Sequence, residues 1–412
     1  MSNIPKLRFP EFSGEWEEKR LDSLSLINPK PGDLPEVFSY IDLESVKNGV
    51  LLQEKIIKKE EAPSRAQRLL EEKDILFQTV RPYQRNNYFF NSKSPTVAST
   101  GYAQFRVNKN NYPSFLYQYL YTNNFVKNVL DRCSGTSFPA ISTNDLLEIC
   151  LHIPSLPEQQ KIADFLSNVD SIITAETKIL KTLQKKKKAL MQKLFTRQLR
   201  FKSADGTDFP AWEEKKFSEV FIYHQTNTFS RNMLNYEEGD TYNIHYGDIL
   251  VKFGSYIDFD NSKIPFINSD VTLNKFVSDS FLKDGDIIIA DTAEDESAGK
   301  VSEVYNINNK KALSGLHTIL CRPKQIFASK YLGYFMNSNV YHKQIVKLLV
   351  GTKVLSINKS VIADTIIQIP CLAEQQKIAD CLSSLDSLIQ TQQKVVTIWQ
   401  QRKKALLQQM FV

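Results

Sequence analysis

The sequence contains a long internal repeat. The heptapeptide Glu-Gln-Gln-Lys-Ile-Ala-Asp occurs at residues 158–164 and again, unchanged, at residues 374–380. The match extends without a gap in both directions at a constant offset. Towards the C-terminus it reaches Phe195 and its counterpart Phe411. A repeat of this length predicts that the 412-residue chain holds two copies of one structural unit.

Two shorter echoes indicate how the copies are arranged. The tetrapeptide at 16–19, Trp-Glu-Glu-Lys, recurs at 212–215, and the tripeptide at 7–9, Leu-Arg-Phe, recurs at 199–201. The second tripeptide directly follows the first repeated helix, whereas the first one stands near the start of the chain. The start of the chain therefore supplies what would follow the second helix. This predicts a circular arrangement with pseudo-two-fold symmetry.

The repeated segment has the pattern of a coiled-coil helix. Pro157 and Glu158 are typical of a helix start, and apolar residues follow at alternating spacings of four and three. The predicted coiled-coil and partner interface consists of Ile162, Leu166, Val169, Ile173, Leu180 and Leu183 in the first copy and of Ile378, Leu382, Leu385, Ile389, Val396 and Trp399 in the second. Polar residues interrupt both seams at the same heptad positions, Glu176 and Lys187 in the first copy. The shared register predicts antiparallel pairing of the two helices; the alternative is that each packs only on its own domain.

Charge does not decide the partner. The chain has 52 Lys and Arg against 46 Asp and Glu, a net charge of +6. The end of the first repeated helix is basic, with four consecutive lysines at 185–188. Such a run is either a solvated helix face or a surface for phosphates or an acidic partner.

The segments before the two helices diverge from each other and predict mixed α/β domains. Alternating or apolar runs predict strands at 37–43, 75–80, 102–107, 249–253, 286–290 and 317–321, and aromatic-rich runs predict helices at 112–130 and 329–349. The fold class is therefore α+β (mixed α/β). The boundaries are a variable domain at 1–153, a helix at 154–198, a variable domain at 199–369 and a helix at 370–412.

Several loops in the variable domains combine basic, amide and aromatic residues. Such side chains suit nucleic acid, because arginine matches guanine edges, amides match adenine edges and lysine matches phosphates. The candidates are Arg81, Tyr83, Gln84, Arg85, Asn86, Gly135, Thr136 and Ser137 in the first domain and Ser255, Lys263, Lys300, Gly351, Thr352 and Lys353 in the second. The Gly-Thr turns are suited to placing backbone amides on a phosphate. The alternative for each loop is an ordinary polar surface turn.

The sequence lacks the common signatures of an active site. It contains no GxxxxGK[ST], HExxH or GxGxxG motif, no CxxC and no Asn-Pro-Pro-aromatic or Asp-Pro-Pro-aromatic methyltransferase motif. Asp42, Glu44 and Lys47 are spaced loosely like nuclease residues, without the converging carboxylates that a metal site needs. No apolar run is long enough to span a membrane, and the N-terminal residues have no apolar signal core. These observations predict a cytoplasmic protein without catalytic residues or a metal site.

The residues together resemble a known family. The pattern Pro-x-Leu-x-Glu-Gln-x-x-Ile-Ala-Asp-x-Leu, at 154–166 and 370–382, and the circular repeat resemble the specificity subunits of type I restriction–modification systems. The pentapeptide His-Tyr-Gly-Asp-Ile at 245–249 is similar to a phrase in that family's target-recognition domains. One departure is that Pro157 becomes Ala373 in the second copy.

The resemblance implies a function and partners. Each variable domain would be a target-recognition domain that reads one half of a bipartite site in double-stranded DNA, and the coiled coil would set the spacer. Two modification (methyltransferase) subunits would dock on the coil, and restriction (translocase–nuclease) subunits would join through the complex. The chain would bind no cofactor itself, since S-adenosylmethionine would belong to the modification subunits and ATP and magnesium to the restriction subunits. The competing hypothesis is an independent enzyme with duplicated domains, such as a nuclease.

Overall fold

Two compact units make up the chain. The computed structural model describes residues 3–30 and 32–412. Unit 1 comprises Met1–Lys178 together with Gln393–Val412, and unit 2 comprises Ile179–Gln392. Both divisions fall inside long helices, so each of these helices contributes one part to each unit. Helices and sheets occur in both units, which confirms the predicted mixed α/β class.

Unit 1 is built from short strands and helices that precede a long helix. Its elements are β1 Glu17–Arg20, α1 Leu21–Leu24, β2 Ser25–Ile27, β3 Val37–Ile41, β4 Val46–Lys47, β5 Val50–Leu51, β6 Lys55–Lys58, β7 Ala66–Leu69, β8 Ile75–Gln78, β9 Tyr88–Phe89, β10 Thr96–Ser99, β11 Tyr102–Val107, α2 Pro113–Tyr119, α3 Asn123–Leu130, α4 Thr143–Leu147, β12 Cys150–Ile153 and the first part of α5 Leu156–Phe195. The strands form sheets in the orders β6-β3-β10-β7 and β2-β11-β8-β9 and the pairs β1-β12 and β4-β5.

Unit 2 repeats this layout with additions. Its elements are β13 Glu213–Lys216, α6 Phe217–Val220, β14 Phe221–His224, β15 Leu234–Asn235, β16 Thr241–Ile244, α7 Tyr246–Val251, β17 Tyr256–Asp258, β18 Phe266–Ile267, β19 Ile287–Ala290, β20 Thr292–Ala293, β21 Val301–Tyr305, β22 Lys311–Ser314, β23 Thr318–Pro323, α8 Tyr331–Met336, α9 Asn339–Val346, β24 Leu355–Ser356, α10 Lys359–Ile362, β25 Ile366–Ile369 and the first part of α11 Leu372–Met410. Its sheets have the orders β14-β23-β19-β21-β17 and β15-β18-β16-β22, and β13 pairs with β25 and β20 with β24.

The same framework recurs in the two units. An antiparallel pair joins the strand before each domain to the strand before its long helix, β1 with β12 and β13 with β25. A parallel pair of related position occurs in both units, β3 with β10 and β16 with β22, and unit 2 adds a second parallel pair, β17 with β21. A buried aspartate before the central strand holds an arginine side chain in both, Asp74 with Arg106 at 2.8 Å and Asp286 with Arg322 at 2.8 Å. The repeat in the sequence is therefore a repeat of structure.

Three predictions of secondary structure need correction. The predicted strand at 249–253 is largely helical, because α7 begins one residue after His245, whose side chain accepts a hydrogen bond from the Gly247 N–H. The predicted helix at 112–130 is two helices, and Thr122 caps the second. The predicted helix at 329–349 is likewise split, and Ser338 caps its second part. A short apolar run fits a strand or a buried helix equally well, and an internal cap breaks a helical pattern without changing its periodicity.

The two long helices pack antiparallel within each unit. In unit 1, Ile162 and Leu166 of α5 lie in the same apolar core as Leu407 and Met410 near the end of α11. In unit 2, Leu194 near the end of α5 shares a core with the early α11 residues, among them Ile378 and Leu382. Phe411 and its counterpart Phe195 each pack against aromatic residues of the local domain. The helices therefore pack both on each other and on the domain beside them.

Ion pairs explain one of the polar positions in the seams. In unit 1, the Lys403 ammonium lies 2.6 Å from an Asp170 carboxylate oxygen. In unit 2, Lys187 lies 2.5 Å from Asp386. These are equivalent pairs with the roles of α5 and α11 exchanged. Each lysine also lies over an aromatic ring of its domain, 5.5 Å from the ring centre of Tyr121 and 5.1 Å from that of Tyr334.

Main-chain hydrogen bonds support the circular arrangement. The Leu199 N–H donates to the carbonyl of Lys193, in the last turn of α5, at 3.1 Å. The Leu7 N–H donates to the carbonyl of Gln409, in the last turn of α11, at 2.8 Å. Lys193 and Gln409 occupy equivalent positions in the repeat, each two residues before the phenylalanine that ends the match. The segment near the start of the chain thus caps the second helix as the continuing chain caps the first.

In the part of the chain that the structure describes, no helix is long and apolar enough to cross a membrane.

Candidate functional site

The repeated Glu-Gln-Gln motif builds the framework of each unit. The Glu158 carboxylate, 2 % exposed, accepts hydrogen bonds from Nε and Nη2 of Arg8, both at 2.8 Å. It also accepts from the indole N–H of Trp16 at 3.3 Å. These three residues come from the three repeated stretches of the sequence. A bidentate arginine–carboxylate pair fixes orientation as well as distance, so the motif joins the helix start to the N-terminal segment.

Unit 2 has the same buried clamp, a glutamate that accepts hydrogen bonds from an arginine and a tryptophan. Glu374 is fully buried and accepts from Nε and Nη2 of Arg200 at 3.0 and 2.7 Å and from the Trp212 indole at 2.9 Å. The following glutamine also repeats its contact: Gln375 accepts from the Ala328 N–H at 2.9 Å, as Gln159 does from the Tyr112 N–H. These contacts are all made inside the unit. The repeated motif is thus structural, and the candidate binding residues lie in the divergent loops.

In unit 1 the structure brings two of these loops together. The loop after β8 and the loop at 134–140 are joined by main-chain hydrogen bonds, in which the Arg81 N–H donates to the Pro139 carbonyl at 2.7 Å and Ile141 to Thr79 at 3.1 Å. Ser134 and Ala140 close the second loop with a β-bridge. Gly135 turns it with a φ of 87°, a left-handed conformation that favours glycine. The predicted candidates at 81–86 and 135–137 therefore lie on adjoining loops.

The unit 1 candidates differ in how their polar groups are used. Arg85 donates to the Tyr121 carbonyl at 2.9 Å and to Asn123 Oδ1 at 2.8 Å, and burial lowers its pKa below the ordinary value for arginine. Gln84 and Asn86 bond to Gln78, through the Gln84 Oε1 and the Asn86 N–H. The remaining candidates are exposed or partly exposed: Arg81, Tyr83, Gly135, Thr136 and Ser137. Arg85 thus stabilises the loop that presents its neighbours.

An equivalent loop pair exists in unit 2. The loop at 350–356 is closed by a β-bridge between Val350 and Ser356, and it joins the segment after β19 through β20 and β24. Gly351 has a φ of 135°, and an added Cβ would lie 1.9 Å from the Val354 carbonyl oxygen, so only glycine fits. Thr352 and Lys353 are exposed at its tip.

The other unit 2 candidates make contacts elsewhere in that unit. The Lys300 ammonium donates to the Leu250 carbonyl at 2.8 Å, and burial lowers the pKa of this lysine. Ser255 is 9 % exposed, and its carbonyl accepts from the Glu303 N–H at 3.0 Å. Lys263 lies 5.2 Å from the ring centre of Tyr236. Of the unit 2 candidates, Gly351, Thr352 and Lys353 share the loop pair.

The pentapeptide at 245–249 also has a structural role. Asp248 is fully buried and accepts from Arg231 Nη1 at 2.7 Å, while the Lys252 ammonium lies 2.8 Å away. Burial opposes the ionisation of this carboxyl, but the two cations outweigh it and lower its pKa. Burial, with the nearby Arg231, lowers the pKa of His245 to about 4. The neutral imidazole accepts the capping hydrogen bond of α7.

Two features of the loop pairs were missing from the sequence prediction. Phe138 is 62 % exposed and lies under Arg81, with the guanidinium carbon 4.2 Å from its ring centre. In unit 2 the segment after β20 is acidic and exposed, with Glu294, Asp295 and Glu296 in succession. A stacking partner that is distant along the chain gives no sequence signal.

The model of the family described as "Type I restriction modification DNA specificity domain" matches the chain twice, at residues 14–185 and 211–397. The chain is 26% identical over 420 residues to the type I restriction enzyme MjaVIII specificity subunit of Methanocaldococcus jannaschii, covering 97% of this chain and 92% of that one. Both comparisons span the two units.

Solved structures show a similar fold. A chain from the structure described as "Structural basis underlying complex assembly and conformational transition of the type I R-M system" has a TM-score of 0.57 at 20% identity, covering 96% of this chain and 97% of the other. The type I restriction–modification S subunit from M. genitalium has a TM-score of 0.53 at 15% identity, with 99% of each chain covered. With the double family match, the repeated framework and the two divergent loop pairs, this chain belongs to the type I restriction–modification DNA specificity family and is a specificity subunit with two target-recognition domains.

Proposed function

We propose that each unit reads one half of a bipartite site in double-stranded DNA. The observation that carries this proposal is the loop pair, which stands at the same place on the same framework in both units but presents different side chains. A repeated frame with divergent loops is the arrangement expected when position must be kept and specificity must vary. The partly exposed Arg81 and the exposed residues Tyr83, Thr136 and Ser137 of unit 1, with Thr352 and Lys353 of unit 2, would contact bases or phosphates.

The long helices would set the spacer between the half-sites. Both α5 and α11 run without interruption from one unit into the other. A helix resists bending over such lengths, so the two readers would be held at a constant separation. Binding of the second half-site then becomes intramolecular, and the discrimination of the two readers multiplies.

The exposed side of the helix pair offers a surface for modification subunits. In unit 1 an apolar groove of about 430 Å³ lies between the helices, lined among others by Phe165, Ile172, Trp399 and Leu406. Phe165 is 38 % exposed there. The repeat places Cys381, Leu388, Leu183 and Leu190 at the equivalent positions of unit 2. Two equivalent surfaces would accept two modification subunits, and restriction subunits would join through the complex.

The chain would act without chemistry of its own. Its relatives are named as specificity subunits, which supports a role in choosing the site rather than in modifying it. Among the described residues no group of three or more His, Cys, Asp or Glu is placed to hold a metal ion. S-adenosylmethionine would bind to the modification subunits, and ATP and magnesium to the restriction subunits.

An exchange of one variable domain between relatives tests whether the two units read independently. Residues 21–149 lie between the framework strands β1 and β12, so they can be replaced by those of a relative without cutting the frame. The methylome of cells that carry the hybrid and the modification subunit should show a new base sequence in one half-site, with the other half-site and the spacer unchanged. A change in both half-sites would contradict independent reading.

A change in helix length tests the spacer. Insertion of one heptad into both helices should lengthen the spacer of the methylated motif, because the added turns move the two readers apart. The methylome again gives the measurement. An unchanged spacer would remove the proposed role of the helices.

The purified chain tests the enzyme alternative. Alone, it should neither methylate nor cleave DNA in the presence of S-adenosylmethionine, ATP and magnesium. Methylation should occur once the modification subunit is added. Activity of the isolated chain would instead support an independent enzyme.

A further inference from the structure

Arg81 is held in place by the neighbouring loop. Its backbone has a φ of 54°, a left-handed conformation that is uncommon for arginine. Its N–H donates to the Pro139 carbonyl at 2.7 Å, and Val80 pairs with Ala140. The guanidinium carbon lies 4.2 Å from the centre of the Phe138 ring. The loop at 134–140 therefore holds the main chain of this residue and contacts its guanidinium group.

The hydrogen-bond donors of this side chain have no acceptor in the protein. A guanidinium has five N–H donors. In the described range, 3–30 and 32–412, the Arg81 side chain forms no hydrogen bond or ion pair, and its Nε is buried without an acceptor. Nearby arginines differ, since Arg85 donates to the Tyr121 carbonyl and Arg132 to the Asn128 carbonyl. A guanidinium group that lies over an aromatic ring and has unpaired N–H groups is suited to an acceptor from outside the protein.

We propose that Arg81, stacked on Phe138, reads a guanine in the half-site bound by unit 1. This inference rests on the proposed function of the chain. Guanine presents O6 and N7 on its major-groove edge, and these two acceptors match two parallel N–H groups of arginine. Phosphate oxygens also accept paired N–H groups from arginine, but lysine can replace arginine there as a point charge. A guanine edge requires the two parallel donors, so replacement of Arg81 by lysine distinguishes the base edge from the DNA backbone.

Unit 2 lacks this pair. There the ladder between the two loops continues as Thr292 with Ser356 and Ala293 with Leu355, which places Ala293 where unit 1 has Arg81. The constant offset of the repeat places Val354 where unit 1 has Phe138. An alanine and a valine neither stack nor donate side-chain hydrogen bonds. The structure thus confines this guanine reader to one of the two half-sites.

The test compares methylated motifs in cells that carry the modification subunit with either the wild-type chain or a variant. The variants are Arg81→Lys, Arg81→Ala and Phe138→Leu. The matched control is Arg132→Lys, which should leave the motif unchanged because the Arg132 guanidinium donates to the Asn128 carbonyl of its own unit. Single-molecule sequencing gives the motif of each. Arg81→Lys should lower the preference for one guanine at least tenfold, because lysine keeps the charge but loses the bidentate geometry. Phe138→Leu should relax the same base to a smaller extent.

Other results would overturn the inference. An unchanged motif with Arg81→Lys, a relaxed base other than guanine, or relaxation in the half-site that does not respond to exchange of residues 21–149 would each do so. Uniform loss of methylation with Arg81→Ala, reversed by Arg81→Lys, would assign Arg81 to a phosphate instead. Arg81→Ala can weaken the junction between the two loops. The result with Arg81→Lys therefore distinguishes a guanine contact from a phosphate contact. A wild-type chain that directs no bipartite motif would contradict the proposed function itself, which separates the two failures.

Discussion

Buried carboxylates show how single residues hold each unit together. Glu158 and Glu374 lie in the first turns of the long helices. Each accepts three hydrogen bonds from an arginine and a tryptophan that are distant in sequence. An acid near a helix start also interacts favourably with the helix dipole. The two effects explain why both copies keep a glutamate here although the preceding residue changes from Pro157 to Ala373.

Removal of this carboxylate should destabilise unit 1. With Glu158→Ala we expect the free energy of unfolding to fall by about 2–4 kcal/mol, because the Arg8 guanidinium, 13 % exposed, loses its counter-ion. Urea denaturation followed by circular dichroism measures this loss. The matched control is Glu11→Ala, which removes an exposed ion pair with Lys161 and should leave the midpoint unchanged. Equal effects of the two variants would refute a special role for the buried clamp.

His245 should make the stability of unit 2 depend on pH. Its pKa is about 4 in the folded chain, against an ordinary value of 6.5, since burial and Arg231 disfavour the cation although Asp248 favours it. The unfolded chain binds the proton first, so this stability is complete above pH 6.5 and is lost as the pH falls toward 4. The nearby His317 also disfavours protonation of the imidazole.

The variant His245→Asn isolates this contribution. Asparagine keeps a side-chain acceptor for the Gly247 N–H but does not titrate. Between pH 7 and pH 5 the wild-type chain should lose about 1–2 kcal/mol more stability than the variant. Chemical denaturation of both proteins at the two pH values measures the difference. Parallel loss in both proteins would show that His245 is not the titrating group.

Sequence reasoning reached some of these residues but not their roles. It found Arg81 and the Gly-Thr turns, because residue type and turn chemistry are local properties. It assigned Arg85 and Lys300 to DNA in the same way, and that assignment stays a prediction; the structure shows that both donate to carbonyls of their own unit. Tertiary packing determines the partner of a long cationic side chain, and it also determines the contact between Arg81 and Phe138. Neither can be inferred from the neighbouring residues in the sequence.

At the scale of elements, polar residues in the helix seams are structural. Lys187 and Asp386 are each less than one-fifth exposed, and the Tyr334 hydroxyl donates to the second Asp386 oxygen at 2.6 Å. Such a pair fixes the register of two helices more strictly than leucines can, because a shift by one turn would separate the charges. Sequence periodicity predicted the seam and its interruptions, but not that the lysines pair with aspartates outside the seam.

A double-mutant cycle tests this pair. Lys187→Met should lower the free energy of unfolding by about 1–3 kcal/mol, because the Asp386 carboxylate keeps only the tyrosine as a partner. The double variant Lys187→Met/Asp386→Leu should lose less than the sum of the single variants, with a coupling of about 1–2 kcal/mol. Lys188→Met, one position along on the exposed face, is the control and should have little effect. Additive losses would mean that the two residues stabilise the helices independently.

At the scale of the whole molecule, the repeat explains why the fold was predictable when several strands were not. Residues that match at fixed offsets predict the order of the elements, the two long helices and the circular arrangement of the repeat. Within the divergent domains no such match guides the prediction, and apolar runs such as 249–253 fit more than one element. The shared framework was therefore inferred correctly, while the loop pairs that it presents became visible only in three dimensions.

The circular arrangement predicts that the chain tolerates new termini. Phe195 and Leu199 are separated by three residues, whereas a direct join of Val412 to Met1 leaves Val412 and residues 1–6 between Phe411 and Leu7. The join is thus longer than the equivalent natural connection, and the Leu7 N–H already bonds to the last turn of α11. A permutant opened between Asp205 and Gly206, in an exposed turn, should fold with an unchanged thermal midpoint and direct the same methylated motif. A control permutant opened between Lys185 and Lys186 interrupts α5 and should lose both properties. If the first permutant failed as completely as the control, the covalent order of the segments, rather than their circular packing, would determine the fold.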